Sequence, residues 1–384
     1  MRKNENQEIK NTEIFVSDKE INEDIAILSQ RQLMWMNFKK HKLAIIGVIA
    51  LIIIYTLSIF AGFFSPYDPY AYDSAHQNHP PQRIRFFDEN GFRLRPFVYS
   101  YDSGRDPSSF RLEHKINKEK KYPIYFFIKG SSYKLLGLFE TNIRFFGTGE
   151  DGYVYLLGAD ENGRDMLSRI LHGGRISTSI GFIGVALSFI IGIILGGISG
   201  YYGGIVDNVI QRGIELLRSI PRIPLWMGLS AAFPVYWSPV TVYFAITVIL
   251  SLLGWTSLAR QVRSKYISLK EEDFIMAAKL SGNKQFRILI HHMLPNFISH
   301  IIAAVTLAIP GMILGETALS FLGIGLRPPV VSWGVLLQTA QNIRTVDSAP
   351  WLLLPGVAVV ITVLSFNFVG DGLRDAADPH GRRG

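Results

Sequence analysis

The chain has 384 residues, of which 48% are hydrophobic and 18% are charged, a smaller charged share than soluble proteins of this length usually carry. It contains no cysteine, which excludes disulfide bonds and thiolate metal sites. The formal net charge of +8 could suit a nucleic-acid partner, but the basic residues flank apolar blocks. That pattern is typical of a membrane protein, so we expect a lipid environment and no nucleic acid.

The apolar residues gather in blocks of about 20, the length that crosses a bilayer core of about 30 Å. The first block lies behind a polar tail and no small-residue cleavage pattern follows it, so we expect it to remain as a span. Six spans are predicted, at residues 43–64, 177–199, 210–232, 239–259, 297–322 and 351–370. The expected fold class is therefore an all-α polytopic membrane protein.

The third predicted span is the weakest of the six because charged residues occupy its first half. These residues are Arg212, Glu215, Arg218 and Arg222. A charge at the bilayer centre costs about 2.5–3.5 kcal/mol on insertion scales. We therefore expect the residues up to Ser219 to lie at the cytoplasmic surface and the membrane part to begin near Pro221.

The distribution of basic residues predicts the orientation. Residues 260–296, between the fourth and fifth spans, carry seven Lys and Arg residues, whereas residues 233–238 carry none. Short basic loops stay in the cytoplasm, and an even number of spans places both termini on one side. The sequence thus predicts a multi-pass protein of the cell membrane, with both termini and loop 260–296 in the cytoplasm.

These spans divide the chain into five parts. Residues 1–42 form a cytoplasmic tail, whose basic and aromatic stretch from 31 to 42 suits either a helix on the membrane surface or a plain basic flank. Residues 43–64 are the first span and 166–370 a five-helix core. Residues 371–384 form a second cytoplasmic tail.

The remaining part, residues 65–165, is a polar insertion that this topology places outside the cell. Apolar and aromatic residues at 124–128 and 133–139 flank Gly130-Ser131-Ser132, which favours a β-hairpin with its turn at these three residues. We expect a small domain of mixed or β-rich structure.

Loop 260–296 has the pattern of a helical hairpin. Acidic residues up to Asp273 open a helix, as the helix dipole favours, and small Ala277 and Ala278 allow another surface to approach. Gly282 ends or bends this helix, and Leu294-Pro295 returns the chain to the membrane. Such a hairpin could sit in a groove of another protein, or it could be an ordinary interfacial loop.

This stretch resembles the Glu-Ala-Ala loop of ABC-importer permeases, in which a Glu-Ala-Ala triplet precedes a glycine and, further on, a Leu-Pro pair. Ala277, Ala278, Gly282, Leu294 and Pro295 fall at those places, while Met276 stands where the family usually has glutamate. Three further segments, at residues 157–177, 318–334 and 370–379, resemble the oligopeptide, dipeptide and nickel branch of those permeases, and within it the C-type subunit. The resemblance covers residues 156–379 closely and 31–64 loosely.

The resemblance implies the type I permease fold and a transport function. Two homologous permeases would form the pore as a heterodimer, two cytoplasmic ATPase subunits would receive loop 260–296, and an extracytoplasmic binding protein would deliver the solute. The implied ATPase-docking residues are Asp273, Met276, Ala277, Ala278, Gly282, Leu294 and Pro295. No Gly-x-x-x-x-Gly-Lys-Ser/Thr phosphate loop occurs in the sequence, so we expect no ATP hydrolysis and no cofactor in this chain, with ATP and magnesium held by the partner ATPases.

The solute stays open. Oligopeptides or dipeptides are expected, with nickel or another small solute of the same class as the alternative. An ATP-independent channel or carrier would need inverted repeats with paired broken helices, which the sequence does not show clearly. A membrane-anchored receptor or structural protein, in which the insertion would be the functional part, is a third alternative.

Glu316, in the fifth span, is the most informative charge inside the membrane. Such a residue faces either a water-filled path or a pairing partner, here Arg327 or the second permease. The adjacent His291 and His292 point to different faces of a helix and form a poor chelate, so no metal site is predicted. No catalytic set of residues is found either.

Overall fold

The computed structural model describes residues 30–377, apart from 90, 106, 108–111, 150, 151 and 235. The predicted tail up to residue 29 and the end of the chain from Asp378 therefore lie outside the described residues. The helices are α1 (Gln30–Lys40), α2 (Lys42–Ile59), α3 (Ala61–Phe64), α4 (Met166–Tyr202), α5 (Gly204–Ser219), α6 (Arg222–Ala231), α7 (Pro239–Leu269), α8 (Asp273–Leu280), α9 (Gln285–Phe321), α10 (Trp333–Gln338), α11 (Ile343–Ser348) and α12 (Pro350–Ala377).

Five of the described helices are long and apolar enough to cross a membrane: α2, α4, α7, α9 and α12. The third predicted span, residues 210–232, is not among them, and it is interrupted at Pro221, where the sequence predicted its membrane part to begin. It is divided between α5, which ends at Ser219, and α6, which begins at Arg222. Pro221 has no N–H to donate and forces the preceding Ile220 into an extended conformation, so the helix is interrupted there.

Helices α4 and α7 cross with their backbones in close contact. A Cβ atom added to Gly196 would lie 2.5 Å from the carbonyl oxygen of Ala259, and one added to Gly200 would lie 2.7 Å from that of Arg263. Small residues allow such an approach between membrane helices. The core of the helical part lies where α4, α7 and α9 meet, around Ile180, Leu250 and Ile313.

The insertion contains β structure, as the sequence predicted. Strands β1 (Arg85–Asp88), β2 (Gly91–Arg105) and β3 (Leu112–Pro123) form an antiparallel sheet in that order. Strands β4 (Tyr125–Leu135) and β5 (Phe139–Gly147) form a separate antiparallel pair.

The turn of the β4–β5 hairpin does not lie at Gly130-Ser131-Ser132, and this prediction is wrong. The chain reverses between Leu135 and Phe139, where Leu136 and Gly137 have positive φ angles of 53° and 74°. The three predicted turn residues instead interrupt the pairing register between Lys129 and Tyr133 inside β4.

The physical reason for that interruption is the buried side chain of Arg144. Arg144 Nη2 donates to the carbonyl oxygen of Ser131 at 3.1 Å and to its hydroxyl at 2.7 Å. A Cβ atom on Gly130 would lie 2.7 Å from Arg144 Cδ, so only glycine leaves the space that this side chain fills. Residues 130–132 therefore surround the guanidinium group of Arg144 and do not form the hairpin turn.

Candidate functional site: loop 260–296 and the adjacent cavity

Loop 260–296 forms a helical hairpin. Helix α8 begins at Asp273 and ends at Leu280, and the chain then reverses through Ser281 and Gly282 into α9. Gly282 has a φ of +75°, a left-handed conformation that glycine adopts without steric cost. The last carbonyl groups of α8 are satisfied locally, because Ser281 N donates to Ala277 O at 2.9 Å and Asn283 Nδ2 to Ala278 O at 3.1 Å.

The inner face of α8 is anchored to the membrane helices. Ile275 is fully buried and Ala278 is 7% exposed, and both belong to one apolar cluster with Tyr201, Tyr266 and Met293. The Tyr266 hydroxyl also donates to the carbonyl oxygen of Leu289 at 2.9 Å, which ties α7 to the start of α9. This packing holds α8 in a defined position against the ends of α4, α7 and α9.

The outer face of α8 and the start of α9 expose apolar side chains, which together we call the docking face. Its members are Phe274, Met276, Ala277, Leu280 and Phe286. Leu280 is 87% exposed and Phe286 is 72% exposed. Exposed apolar patches on helices are typical of surfaces that another protein covers.

The structure separates the predicted docking residues into two groups. Met276, Ala277 and Gly282 lie on the exposed side of the hairpin, with Asp273 exposed at the first position of α8, whereas Ala278 points inward. Leu294 is half-buried and Pro295 is exposed, at the base of the return. There α9 passes through a π-helical turn (Ile288–Met293) and a 3₁₀ turn (Leu294–Phe297), so its first part is irregular.

Phe274, Leu280 and Phe286 were not singled out from the sequence. Leu280 and Phe286 flank Gly282 on either side, and the available signal was their apolar character in an otherwise polar hairpin tip. Their exposure, however, depends on how α8 packs on the membrane helices.

An ion pair joins α5 to α7 near the same end of the molecule. Arg263 donates through Nε and Nη2 to the two carboxylate oxygens of Asp207, and the Ser199 hydroxyl donates to the same carboxylate. The hydrogen bonds from Arg263 lower the pKa of Asp207 below its ordinary value, against the opposing effect of partial burial. Asp207 was not predicted as a site residue.

A cavity of about 650 Å³ lies between α6, α7, α9 and α12. Its apolar lining includes Trp226, Leu250 and Met312, and two glycines, Gly254 and Gly311, also line it. Basic side chains line it as well. These are Arg222, Lys265 and Arg374.

Glu316 does not line this cavity; its side chain is fully buried. Three serine hydroxyls donate to its carboxylate: Ser177 at 3.0 Å, and Ser320 and Ser332 at 2.8 Å each. Arg327, a partner considered from the sequence, donates to the carbonyl oxygen of Gly323 at 3.1 Å.

Apolar helices of spanning length, a cavity between them and a projecting hairpin with exposed apolar side chains are the features of a membrane transport subunit. Residues 190–383 match the family described as binding-protein-dependent transport system inner membrane component, and residues 29–81 match the N-terminal transmembrane domain of oligopeptide transport permease C. The chain belongs to the family of binding-protein-dependent transport system inner membrane components.

Several characterised relatives are similar over much of the chain. The dipeptide transport system permease protein of Alkalihalophilus pseudofirmus is 42% identical over 58% of this chain and 71% of its own length. The oligopeptide transport system permease protein of Haemophilus influenzae is 39% identical over 60% and 72%, respectively. The dipeptide permease protein of Bacillus subtilis is 29% identical, over 93% of this chain and 88% of its own.

Among solved structures, an inward-facing conformation of the MetNI methionine ABC transporter is similar to this chain. It has 20% sequence identity and a TM-score of 0.43, and the match covers 56% of this chain and 98% of that one.

The family match confirms the importer-permease fold and the transport function that the sequence predicted. As a member of this family the chain is the membrane component of a binding-protein-dependent transport system, and ATPase and binding-protein subunits are the partners that such a system implies. The expected localisation in a membrane is confirmed in the same way.

Proposed function

We propose that this chain forms half of the pore of an ABC importer for oligopeptides or dipeptides, together with a second homologous permease. The names of the relatives support the peptide cargo, because relatives that are 42% and 39% identical are a dipeptide and an oligopeptide permease. The chain itself contributes no catalytic residue, and ATP is hydrolysed by two separate ATPase subunits that dock on loop 260–296.

The observation that carries this proposal is the docking face. Four of its five exposed side chains lie on α8, whose opposite face is buried against the ends of the membrane helices. A movement of the ATPase subunits that displaces α8 is therefore transmitted to α4, α7 and α9 together. ATP would then shift the assembly between two conformations, because it binds one of them more tightly than the other.

The orientation follows from the basic residues of loop 260–296, which place it and both termini in the cytoplasm. The insertion is then extracytoplasmic, on the side where the binding protein delivers the solute. In this arrangement the third predicted span, residues 210–232, is the sixth crossing, and the cavity beside α6 is the part of the solute path that this subunit contributes.

The docking role is tested by Leu280→Asp in the assembled transporter. We expect the variant to reach the membrane with unchanged thermal stability, since Leu280 is 87% exposed, but to lose most of its ATPase subunits on purification and most of its peptide uptake. Leu280→Met, which keeps the apolar surface at the same position, is the matched control and should retain both.

If the Leu280→Asp complex keeps its ATPase subunits and imports peptides normally, the docking face has been misassigned. Uptake of peptide by vesicles that contain this permease without any ATPase would instead favour a carrier that needs no ATP.

A further inference from the structure

The β4–β5 hairpin of the insertion is fastened to the end of the first membrane helix. Arg144 Nη1 donates to the carbonyl oxygens of Ser65 at 2.7 Å and Tyr67 at 3.1 Å, directly after α3. The ring of Phe145 lies 5.7 Å from that of Phe63 and 5.5 Å from that of Phe64, centroid to centroid. The hairpin therefore cannot move away from residues 63–67 without breaking buried contacts.

This end of the first helix marks the membrane surface. Helix α2 is apolar up to Ile59, and Arg175 donates to the carbonyl oxygens of Ser58 and Ile59 at 2.7 Å each. A half-buried arginine at the end of an apolar helix is typical of the level at which hydrocarbon meets the headgroups. Residues 58–65 thus lie close to the bilayer interface.

The hairpin lies across this interface along much of its length. Near the open end of the hairpin, the Phe127 ring lies 6.2 Å from that of Phe63, centroid to centroid. Close to the turn, the Tyr133 ring packs so tightly on Gly62 that an added Cβ would lie 2.3 Å from Tyr133 Cδ2. Because Tyr133 is two residues before the end of β4, the turn is also held near the membrane surface.

The exposed side chains of this hairpin are aromatic and aliphatic. Phe126 is 55% exposed, Phe127 66%, Leu138 76% and Phe139 67%. Adjacent residues of a regular strand point to opposite faces of the sheet. Phe127, however, has a φ of +56°, which is rare for a non-glycine residue, and the rings of Phe126 and Phe127 are both exposed. Nothing in this chain covers this apolar surface, among the residues that the structure describes, and it lies beside the residues that mark the bilayer interface.

The chemistry of the surface selects lipid as its occupant. Aromatic rings accompanied by lysines, here Lys129 and Lys134, are typical of the headgroup region of a membrane. The first membrane helix, to which the hairpin is fastened, also exposes apolar side chains, since Ile52, Ile53 and Ile59 of α2 are 59%, 52% and 45% exposed. Strand β3 of the other sheet instead carries a run of charged residues from Lys118 to Lys121.

We propose that the β4–β5 hairpin is a membrane-interface anchor, whose exposed rings and turn residues lie among the lipid headgroups and the upper acyl chains. Anchored in this way, the hairpin would hold the insertion at a set angle to the pore. The contact is confined to β4 and β5, since no described contact ties the exposed rings of β1 and β2 to the first helix.

The experiment uses the absence of cysteine from the chain. Leu138→Cys and, separately, Phe139→Cys are labelled with bimane in the complete transporter, reconstituted in phosphatidylcholine–phosphatidylglycerol vesicles. Ile116→Cys on β3, 52% exposed and flanked by the polar residues Lys115 and Asn117, is the matched aqueous control. Fluorescence quenching is measured with iodide in the buffer and, separately, with lipids that carry a nitroxide just below the headgroup.

We expect the labels at 138 and 139 to be quenched by the nitroxide lipids at least about twofold more than the label at 116, with the reverse order for iodide. Equal iodide quenching at 138, 139 and 116 would overturn the proposal. Shielding that develops only when a peptide-binding protein is added would also overturn it, because the surface would then be covered by protein and not by lipid.

Discussion

Glu316 organises a buried polar network that connects three parts of the chain. Its serine partners come from α4 (Ser177), α9 (Ser320) and the residue before α10 (Ser332). The same hydroxyls accept backbone N–H groups, since Trp333 N donates to Ser177 and Val335 N donates to Ser332. A single carboxylate thereby positions the start of α10 against the membrane helices.

The substitution Glu316→Ala separates the two roles that the sequence left open. It leaves three buried hydroxyls without their acceptor, and a buried polar group that loses its hydrogen-bond partner costs about 1–3 kcal/mol. If Glu316 is structural, the thermal unfolding midpoint of the Glu316→Ala variant should fall by several degrees. The midpoint of Glu316→Gln, which keeps one acceptor oxygen, should fall less. Unchanged unfolding with reduced peptide uptake would show that Glu316 acts in the solute path.

Arg144 has a comparable role in the insertion, where its buried guanidinium group donates to five carbonyl or hydroxyl oxygens of the segments around it. The Arg144→Met variant fills part of the space but leaves those oxygens without donors. We expect limited proteolysis to cut the insertion much faster in this variant, while the membrane helices stay intact. Arg144→Lys, which restores a charged donor, should be cut at an intermediate rate; equal rates for all three proteins would contradict this view of Arg144.

At the scale of the elements, the α4–α7 crossing depends on backbone contact. The Cβ of a Gly196→Ala variant would meet Ala259 O at 2.5 Å, so the two helices would have to separate, at a cost of about 1–3 kcal/mol. Gly213→Ala on α5 is the matched control, because nothing lies within 4 Å of its Cβ position and alanine favours a helix by about 0.5–1 kcal/mol. Thermal unfolding should therefore move in opposite directions for the two variants. A shift of the same sign in both would argue against the close crossing.

A buried histidine of the insertion, His79, leads us to expect that the stability of the insertion depends on pH. His79 is buried among aromatic and histidine rings, and its Nδ1 donates to the carbonyl oxygen of Pro80 at 2.7 Å, while its Nε2 has no partner. Burial lowers the pKa of His79 to about 3, and burial also lowers the pKa of nearby His114. The neighbouring rings are those of His76, Tyr101, His114, Tyr153 and Tyr155.

The sign of the pH effect follows from the unfolded chain, in which a histidine has a pKa of about 6.5. Above that pH both states hold His79 neutral and it has no effect; between about 6.5 and 3 the unfolded state gains a proton that the folded state resists. We expect the insertion to lose about 2 kcal/mol of stability through His79 between pH 7 and pH 5. His79→Phe should flatten that dependence in thermal unfolding, and an unchanged slope would rule His79 out as its source.

At the scale of the whole molecule, the cavity offers a test of the solute path. Gly311 lines it and has open space around its Cβ position, so Gly311→Trp would project a large ring into the cavity. We expect peptide uptake to fall at least about tenfold, with assembly and ATPase binding unchanged. Leu314→Trp, on the same helix at a 47% exposed position outside the cavity lining, should transport normally. Full transport by the Gly311 variant would place the path elsewhere.

Much of this architecture could be predicted from the sequence because its causes are local. A block of about 20 apolar residues has to lie in the bilayer whatever its neighbours are, and Pro221 interrupts a helix through its own ring. The spacing of Ala277, Ala278, Gly282 and Leu294-Pro295 likewise lies within one hairpin, and together with the segments 157–177, 318–334 and 370–379 it indicated the family to which the chain belongs.

What the tertiary structure alone decided depends on residues far apart in the chain. Gly130-Ser131-Ser132 has the composition of a turn, but the Arg144 side chain, 13 residues from Ser131, converts the segment into an irregularity within a strand. The partners of Glu316 lie up to 139 residues away, and the exposure of Leu280 depends on how Ile275 packs against the membrane helices. Local preferences determine which segments become helices and strands, whereas the partner of a buried charge and the face that stays uncovered are determined only when distant segments pack together.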